Sequence, residues 1–441
     1  MILVAGAGLA GLACAKRLKS PFLVVDRERF PGGTARTVQV AGFTFDFTGH
    51  LLHLHHPKTE RWVRRLLGTN LVECRRDARV FSHGVTTPYP FQVNLHGRPA
   101  SVVRDCLAGL RTARRRYGDR PLDGAVSWPF DEWCLRLFGA GVSKHFMIPY
   151  NEKLWGVPAS SMTADWCGGF VPVPTLPEVE AGARRPHAKA FGYNTTFLYP
   201  ARGGIQVLAE ALARGLPLRL GTSLDSVDWK RRRATLSTGE TVSYHRLVST
   251  LPLPELLQRL SPFPKELQKP LSLLRWTTVL CVNIGVDRPQ ISKASWIYFP
   301  DKKFPFYRVG FPMNFTPHAV PPGCSSMYVE VSCPPGGEPR DDDSRERLFQ
   351  KIRRGLLDAH LLRSSDTFPV VHWAPLRYGY VIYDKNRGPA LEKIFSWLDT
   401  HARAVSIGRY GGWKYSFMEE ALRDGEKAAV WADSPEGKNR P

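Results

Sequence analysis

Long apolar runs are missing from this chain. Its longest apolar stretch is N-terminal and broken by glycines, so no segment reaches the ~20 residues of a bilayer-spanning helix. Paired cysteines are missing too. The 8 cysteines are scattered at 14, 74, 106, 134, 167, 281, 324 and 333; none form Cys-x-x-Cys, and no Cys/His cluster has zinc spacing. They read as buried or incidental thiols of a reducing cytoplasm, with no metal site. The N-terminus has neither a basic flank nor a small-residue cleavage site, so no secretory leader is expected and the expected location is cytoplasmic. No internal repeat is present. Acidic residues are in short supply: 40 Asp and Glu stand against 61 Lys and Arg, a net charge of +21. Runs such as Arg114-Arg115-Arg116 and Lys230-Arg231-Arg232-Arg233 would suit a polyanion, but no nucleic-acid motif accompanies them. The charge is read as solvated, arginine-rich surface.

What is present begins at residue 1. Met1–Ala5 reads as a short buried strand, Gly6-Ala7-Gly8-Leu9-Ala10-Gly11 as a turn, Leu12–Leu18 as a helix, and Phe22–Val25 as a second strand ending on Asp26. This is the strand–turn–helix–strand–acid context of a dinucleotide-binding fingerprint. Gly6 permits the turn, Gly8 leaves room for a pyrophosphate, and Gly11 lets the helix approach the sheet. The helix N-terminus faces the phosphate charge. Asp26 is placed to accept hydrogen bonds from a ribose, with Arg27 beside it. A second glycine pair, Gly32-Gly33, follows at once, and Arg36 behind it can reach the phosphates. That second element resembles the one in the amine oxidase and related FAD superfamily, which implies FAD as the cofactor.

Later segments keep the same order. Leu224–Trp229 alternates like a strand, with Val227 where such proteins contact the adenine. Tyr244–Pro252 reads as the strand returning to the nucleotide-binding sheet. Ser406–Trp413, with Gly408-Arg409 at its turn, leads into a helix over Ser416–Ala429 that includes Ser416, Phe417 and Met418 at the flavin. That helix dipole favours an anionic reduced flavin. Between these blocks, 61–194 is rich in helical patterns. Residues 256–395 carry β-branched and aromatic runs at 277–284, 295–299 and 326–331, read as an antiparallel sheet. The expected architecture is α/β: a Rossmann-type FAD-binding domain (1–60, 195–255 and 396–432), an inserted, mainly helical domain (61–194), an inserted antiparallel-sheet substrate domain (256–395), and a mobile polar tail (433–441).

Six segments together resemble the UDP-galactopyranose mutases: Gly49-His50; Tyr89-Pro90-Phe91-Gln92-Val93-Asn94; Pro149-Tyr150-Asn151-Glu152-Lys153-Leu154-Trp155-Gly156; Tyr199-Pro200-Ala201-Arg202-Gly203-Gly204; Trp296-Ile297-Tyr298 continuing to Tyr307-Arg308; and Gly408 to Tyr415. In that family reduced FAD acts as a nucleophile on the anomeric carbon of a nucleotide-linked sugar, with no net redox change. The resemblance implies the reduced cofactor as the active form, with NAD(P)H a candidate reductant. It implies nucleobase contacts at Tyr89, Phe91 and Gln92, and sugar or diphosphate contacts at Asn151, Trp155 and Asn194. Arg308 becomes the diphosphate clamp, a role a guanidinium fork suits. Tyr298, Tyr380 and Tyr415 become phosphate-binding hydroxyls, and Gly49 and His50 lie against the flavin.

The chain also departs from the family. Of two clamping arginines, the first falls on Phe170. Thr48 replaces a glycine, and the asparagine after the C-terminal Trp-x-Tyr is missing. Arg184 and Arg185, in what reads as a mobile loop, are candidate substitutes for the lost charge. Two other readings stay open on the same scaffold: an oxidase or dehydrogenase of the amine oxidase or protoporphyrinogen oxidase type, and a flavoprotein kept for binding alone.

Overall fold

Ile2–Ala5 is buried at every position, and so are the three central residues of Phe22–Asp26. Strands apolar on both sides belong in a sheet covered on both faces. The computed structural model, which describes residues 1–118, 128–168, 170–187, 191 and 195–434, places them so. They lie in a five-stranded parallel sheet ordered Ala404–Ser406, Arg246–Ser249, Ile2–Ala5, Phe22–Asp26, Leu218–Leu220. The helix after the fingerprint turn runs Leu9–Ala15, three residues ahead of the expected start, because Gly8 itself is the last extended residue before it. It is buried throughout and packs against Gln206–Ala213 and Met418–Asp433.

A seven-stranded sheet stands beside this layer. Its order is Val370–Val381, Trp276–Val286, Ser325–Cys333, Arg308–Gly310, Trp296–Tyr298, Ala78–Ser82, Val85–Pro88. All neighbours are antiparallel except Trp296–Tyr298 with Ala78–Ser82, which are parallel. The sheet therefore borrows two strands from the segment expected to be helical, and the substrate sheet is mixed rather than purely antiparallel. Leu260–Ser261 pairs with Leu224–Asp228 in a separate four-stranded sheet. Helix Asp342–Asp358 covers one face with Ile352 and Leu356, and Asp341 caps it by accepting from the Ser344 N–H at 2.7 Å. After Val85–Pro88 the chain forms the helices Ala100–Tyr117, Phe130–Val142, a π-helical turn Ser143–Met147, Ile148–Trp155 and Leu176–Arg184.

The C-terminal helix runs Met418–Asp433. Asp433 is not part of a free tail: its carboxylate accepts from the Lys19 and Ser20 N–H groups at 2.9 and 3.0 Å. Residues 435–441 of the expected tail lie outside the described residues. Among the described residues no helix is long and apolar enough to cross a membrane, and no group of three or more His, Cys, Asp or Glu is placed to hold a metal.

The fingerprint turn is fixed by close approach. A Cβ on Gly11 would lie 1.9 Å from the Gly6 carbonyl oxygen, whereas one on Gly8 would meet only Gly33 Cα, at 4.0 Å. Gly11→Ala is therefore expected to destabilise the flavin-free protein by about 1–3 kcal/mol, an overpacking cost. Gly8→Ala is expected to unfold like wild type and to fail in cofactor retention. Chemical denaturation of the apoprotein and flavin absorbance after gel filtration check the pair.

Candidate active site

A cavity of about 500 Å³ runs from the fingerprint turn to the seven-stranded sheet. Its near end is set by Asp26, the last residue of its strand. The carboxylate accepts from the Ala7 N–H at 2.6 Å and the Glu28 N–H at 2.8 Å, which ties the strand end to the turn. Arg27, Glu255, Arg259, Ser223 and Leu224 line this end. Val227 does not: it is fully buried within its own sheet. The register shifts between Leu224 and Ser226, so Leu224 and Ser223 reach the cavity instead.

The middle is glycine and helix N-terminus. Gly6, Gly8, Leu9, Ala10, Gly32 and Gly33 line it, with Arg36. Arg36 donates from Nη1 to Glu28 at 2.7 Å and lies 4.7 Å from the Phe47 ring, while its buried Nε has no partner. Gly11 stands behind the turn rather than on the cavity.

The far end is built from two loops, Thr48-Gly49-His50 and Tyr415-Ser416-Phe417-Met418, and the short helical turn Gly408–Gly411. Ser416 and Phe417 precede the C-terminal helix and do not belong to it. His50 Nδ1 and Ser416 Oγ are buried without partners. Burial, reinforced by the Arg409 charge, pushes His50 down to about 4, so it is neutral at neutral pH. Arg409 donates to the Ser416 carbonyl at 2.6 Å and the Gly379 carbonyl at 3.2 Å. It has no carboxylate partner among the described residues.

Beyond these loops lies Arg308. Its fork is already engaged: Nε donates to Glu330 Oε2 and Nη2 to Oε1, both at 2.7 Å. Glu330 has no exposure and the Arg308 side chain 20%. Burial alone would raise the Glu330 carboxyl; the guanidinium overrides it and holds it below its ordinary value. Glu330 was not anticipated, although a single carboxylate inside the apolar run of Ser325–Cys333 is a legible signal.

The aromatic residues divide in two. Tyr380 and Tyr415 line the cavity, their rings stacked at 6.0 Å. Phe170 packs on Tyr415 at 5.6 Å and Phe417 at 5.1 Å, behind two rings that line the cavity rather than on the cavity itself. Tyr298 lies directly across from Arg308 in the sheet and 5.2 Å from Tyr89. Phe91, Gln92, Asn151 and Trp155 are drawn into the core instead. Phe91 is fully buried, stacked on Phe146 at 5.1 Å and covered by Arg98 at 4.2 Å. Gln92 donates to the Pro172 carbonyl at 2.7 Å. Asn151 donates to the Met147 carbonyl at 2.7 Å and accepts from Trp155 Nε1 at 3.3 Å. The base contact expected of Phe91 is thus not presented at a surface, because packing occupies its faces. Asn194 lies outside the described residues. Arg184 closes helix Leu176–Arg184 rather than lying in a loop, and it and Arg185 are exposed.

The buried polar atoms left open on the cavity (Arg36 Nε, His50 Nδ1, Ser416 Oγ) and the side-chain-free cradle at Gly8 and Gly33 suit a dinucleotide. The family model of the flavin-containing amine oxidoreductases matches residues 9–430. The chain belongs to that family. It is a flavoenzyme of the amine oxidase superfamily, and the family and the cavity together imply FAD. Its fold is UDP-galactopyranose mutase-like: a crystal structure of reduced UDP-galactopyranose mutase matches with 28% identity and a TM-score of 0.88, over 97% of this chain and 92% of that one. Putrescine oxidase bound to putrescine matches at 16% and 0.65, over 97% and 98%. A CLA-producing fatty acid isomerase from P. acnes matches at 13% and 0.65, over 97% of both chains. The last two show the fold alone.

Two outcomes follow from this geometry. Phe91→Ala is expected to cost about 3–5 kcal/mol of stability, as a buried aromatic truncation does, measured by denaturant unfolding, rather than to act selectively on ligand affinity. For His50, the unfolded chain takes a proton near 6.5 and the fold only near 4. Its contribution to stability is complete above pH 6.5 and is lost as pH falls toward 4. Melting temperatures across pH 4–7 are expected to fall less steeply for His50→Gln than for wild type.

Proposed function

We propose that this flavoenzyme acts on a nucleotide-linked sugar with reduced FAD and without net oxidation, a ring contraction or related isomerisation. The observation that carries the reading is Arg308, aimed by Glu330 into the flavin end of the cavity beside Tyr380 and Tyr415. The likeness over nearly the whole chain to a reduced UDP-galactopyranose mutase supports it.

In this reading Asp26 holds the adenosine ribose, with Leu224 and Arg27 beside the base. The N–H groups at Gly8–Ala10 and Gly33, with Arg36, hold the cofactor diphosphate. Gly49, His50, Gly408, Arg409 and Ser416–Met418 hold the isoalloxazine. When bound in its reduced form, the flavin would supply a nucleophilic nitrogen to a sugar's anomeric carbon. Arg308 would hold the phosphate charge, since a guanidinium already fixed in direction loses little freedom on contact. Tyr380 and Tyr415, whose burial raises their proton affinity, stay protonated and donate hydrogen bonds to the same oxygens. His50 stays neutral beside them. Tyr89, packed on Tyr298 at 5.2 Å, is the contact left for the base, and Tyr298 opposite Arg308 adds a third hydroxyl. Phe170 favours a second reading, an oxidase with a less charged substrate, because it packs behind Tyr415 and Phe417 and brings no charge where the resemblance implies a clamping arginine.

Ligand binding to oxidised and dithionite- or NAD(P)H-reduced holoenzyme separates the two. UDP, GDP or TDP sugars are expected to bind the reduced form at least tenfold tighter, with turnover and no oxygen uptake. Substrate-driven bleaching of oxidised flavin, with no nucleotide binding in either state, would establish the oxidase instead. Arg308→Met is expected to abolish nucleotide binding and to destabilise the fold by about 3–5 kcal/mol, since it strands a buried carboxylate. Adding Glu330→Gln to it is expected to restore stability and leave binding lost.

A further inference from the structure

Thr48 reaches the same ion pair. Its hydroxyl donates to Glu330 Oε1, the oxygen that also accepts from Arg308 Nη2. Thr48 opens the turn Thr48-Gly49-His50, which the His50 N–H closes by donating to the Thr48 carbonyl at 2.8 Å. The turn docks on one strand at two places. Tyr328 and Glu330 are two residues apart in Ser325–Cys333 and so share a face. The Tyr328 hydroxyl fills the space a side chain on Gly49 would need, 2.3 Å from a Cβ there. Gly310 leaves room for the same ring, 1.9 Å from a Cβ at that position. The register sets Gly310 opposite Tyr328 and Arg308 opposite Glu330. A shift of the turn is therefore felt at Tyr328 and at Glu330 together, and Arg308 follows because its two bonds end on that carboxylate.

We infer that Thr48 is a positioning residue that couples the flavin-side turn to Arg308, so that the turn's conformation at the bound flavin and the site's affinity for a phosphate-bearing ligand are set together. The ligand class rests on the function proposed above; the coupling does not, because the ligand-free holoenzyme already contains both ends of it. A purely structural threonine would contribute to stability and nothing else. A coupling residue acts in both directions, since the free energy linking two sites is reciprocal.

The experiment compares FAD-loaded wild type, Thr48→Val, Thr48→Ser, Glu330→Gln and the Thr48→Val/Glu330→Gln double variant. Flavin midpoint potentials are measured without ligand and with saturating UDP, and UDP affinities are measured for oxidised and reduced protein. Thr48→Val is expected to bring the ratio of the two affinities at least threefold closer to one, and Thr48→Ser to restore it. A tenfold change in that ratio reads as a shift of about 30 mV in a two-electron potential. Without ligand, the shifts from Thr48→Val and Glu330→Gln are expected to be non-additive, as for residues acting through one another. Additive shifts, or a Thr48→Val protein with wild-type potential and affinity ratio and only a lower melting temperature, would overturn the inference. Should wild type bind no UDP in either state, the proposed substrate fails, and the ligand-free potentials still decide the coupling.

Discussion

A carboxylate with no access to solvent governs this site. Glu330 sits inside a strand that is paired on both sides, and a lone charge there would cost several kcal/mol. It is tolerable because Arg308, directly opposite in the next strand, returns two charge-assisted bonds. The consequence runs outward. The guanidinium has one direction to point, the turn at Thr48 has one place to dock, and both are fixed by the register of a sheet rather than by a loop. Sites held by regular elements keep their geometry better than sites held by loops.

Aromatic packing extends the same rigidity to the helical layer. Phe91, Phe146 and Tyr150 form a nearly parallel stack, with ring separations of 5.1 and 5.3 Å. Phe146 comes from the π-helical turn Ser143–Met147, a departure from α geometry that re-aims side chains and is frequent at functional sites. Tyr150 ends the stack against Tyr298 at 5.3 Å. The residues that first look like ligand contacts are thus the buttress behind the contacts, and truncating the far end would loosen the near one.

Local pattern was legible and tertiary pairing was not. The fingerprint strand, turn and acid lie within a few tens of residues, and the Gly408–Met418 closure is contiguous, so the sequence shows both almost as they stand. Val227 is the adenine contact that the likeness to related FAD proteins implies, and the cavity instead meets Leu224, three residues earlier in the same strand. Phe91 was read as a contact because a motif does not say which of its aromatics faces inward. Glu330 and Arg308 lie 22 positions apart and meet only because two strands pair antiparallel. Likewise Ala78–Ser82 joins the sheet through a parallel neighbour more than two hundred residues away, a contact that no local periodicity encodes.

The charge at the flavin end bears on what the site can accept. Arg308 and Glu330 cancel, His50 is neutral, and the buried tyrosines keep their protons. What remains is Arg409, a half-buried cation bonded to carbonyl oxygens and flanked by Tyr380, Tyr410 and Tyr415. An uncompensated positive charge in a site of low dielectric repels a protonated diamine and attracts an anion. It supports a reaction in which negative charge is held at the flavin or released as phosphate. Phe170, behind Tyr415 and Phe417, adds no charge of its own, so in the proposed reaction the anion rests on Arg409 and on the tyrosine hydroxyls, which are held by packing that the ligand does not have to organise.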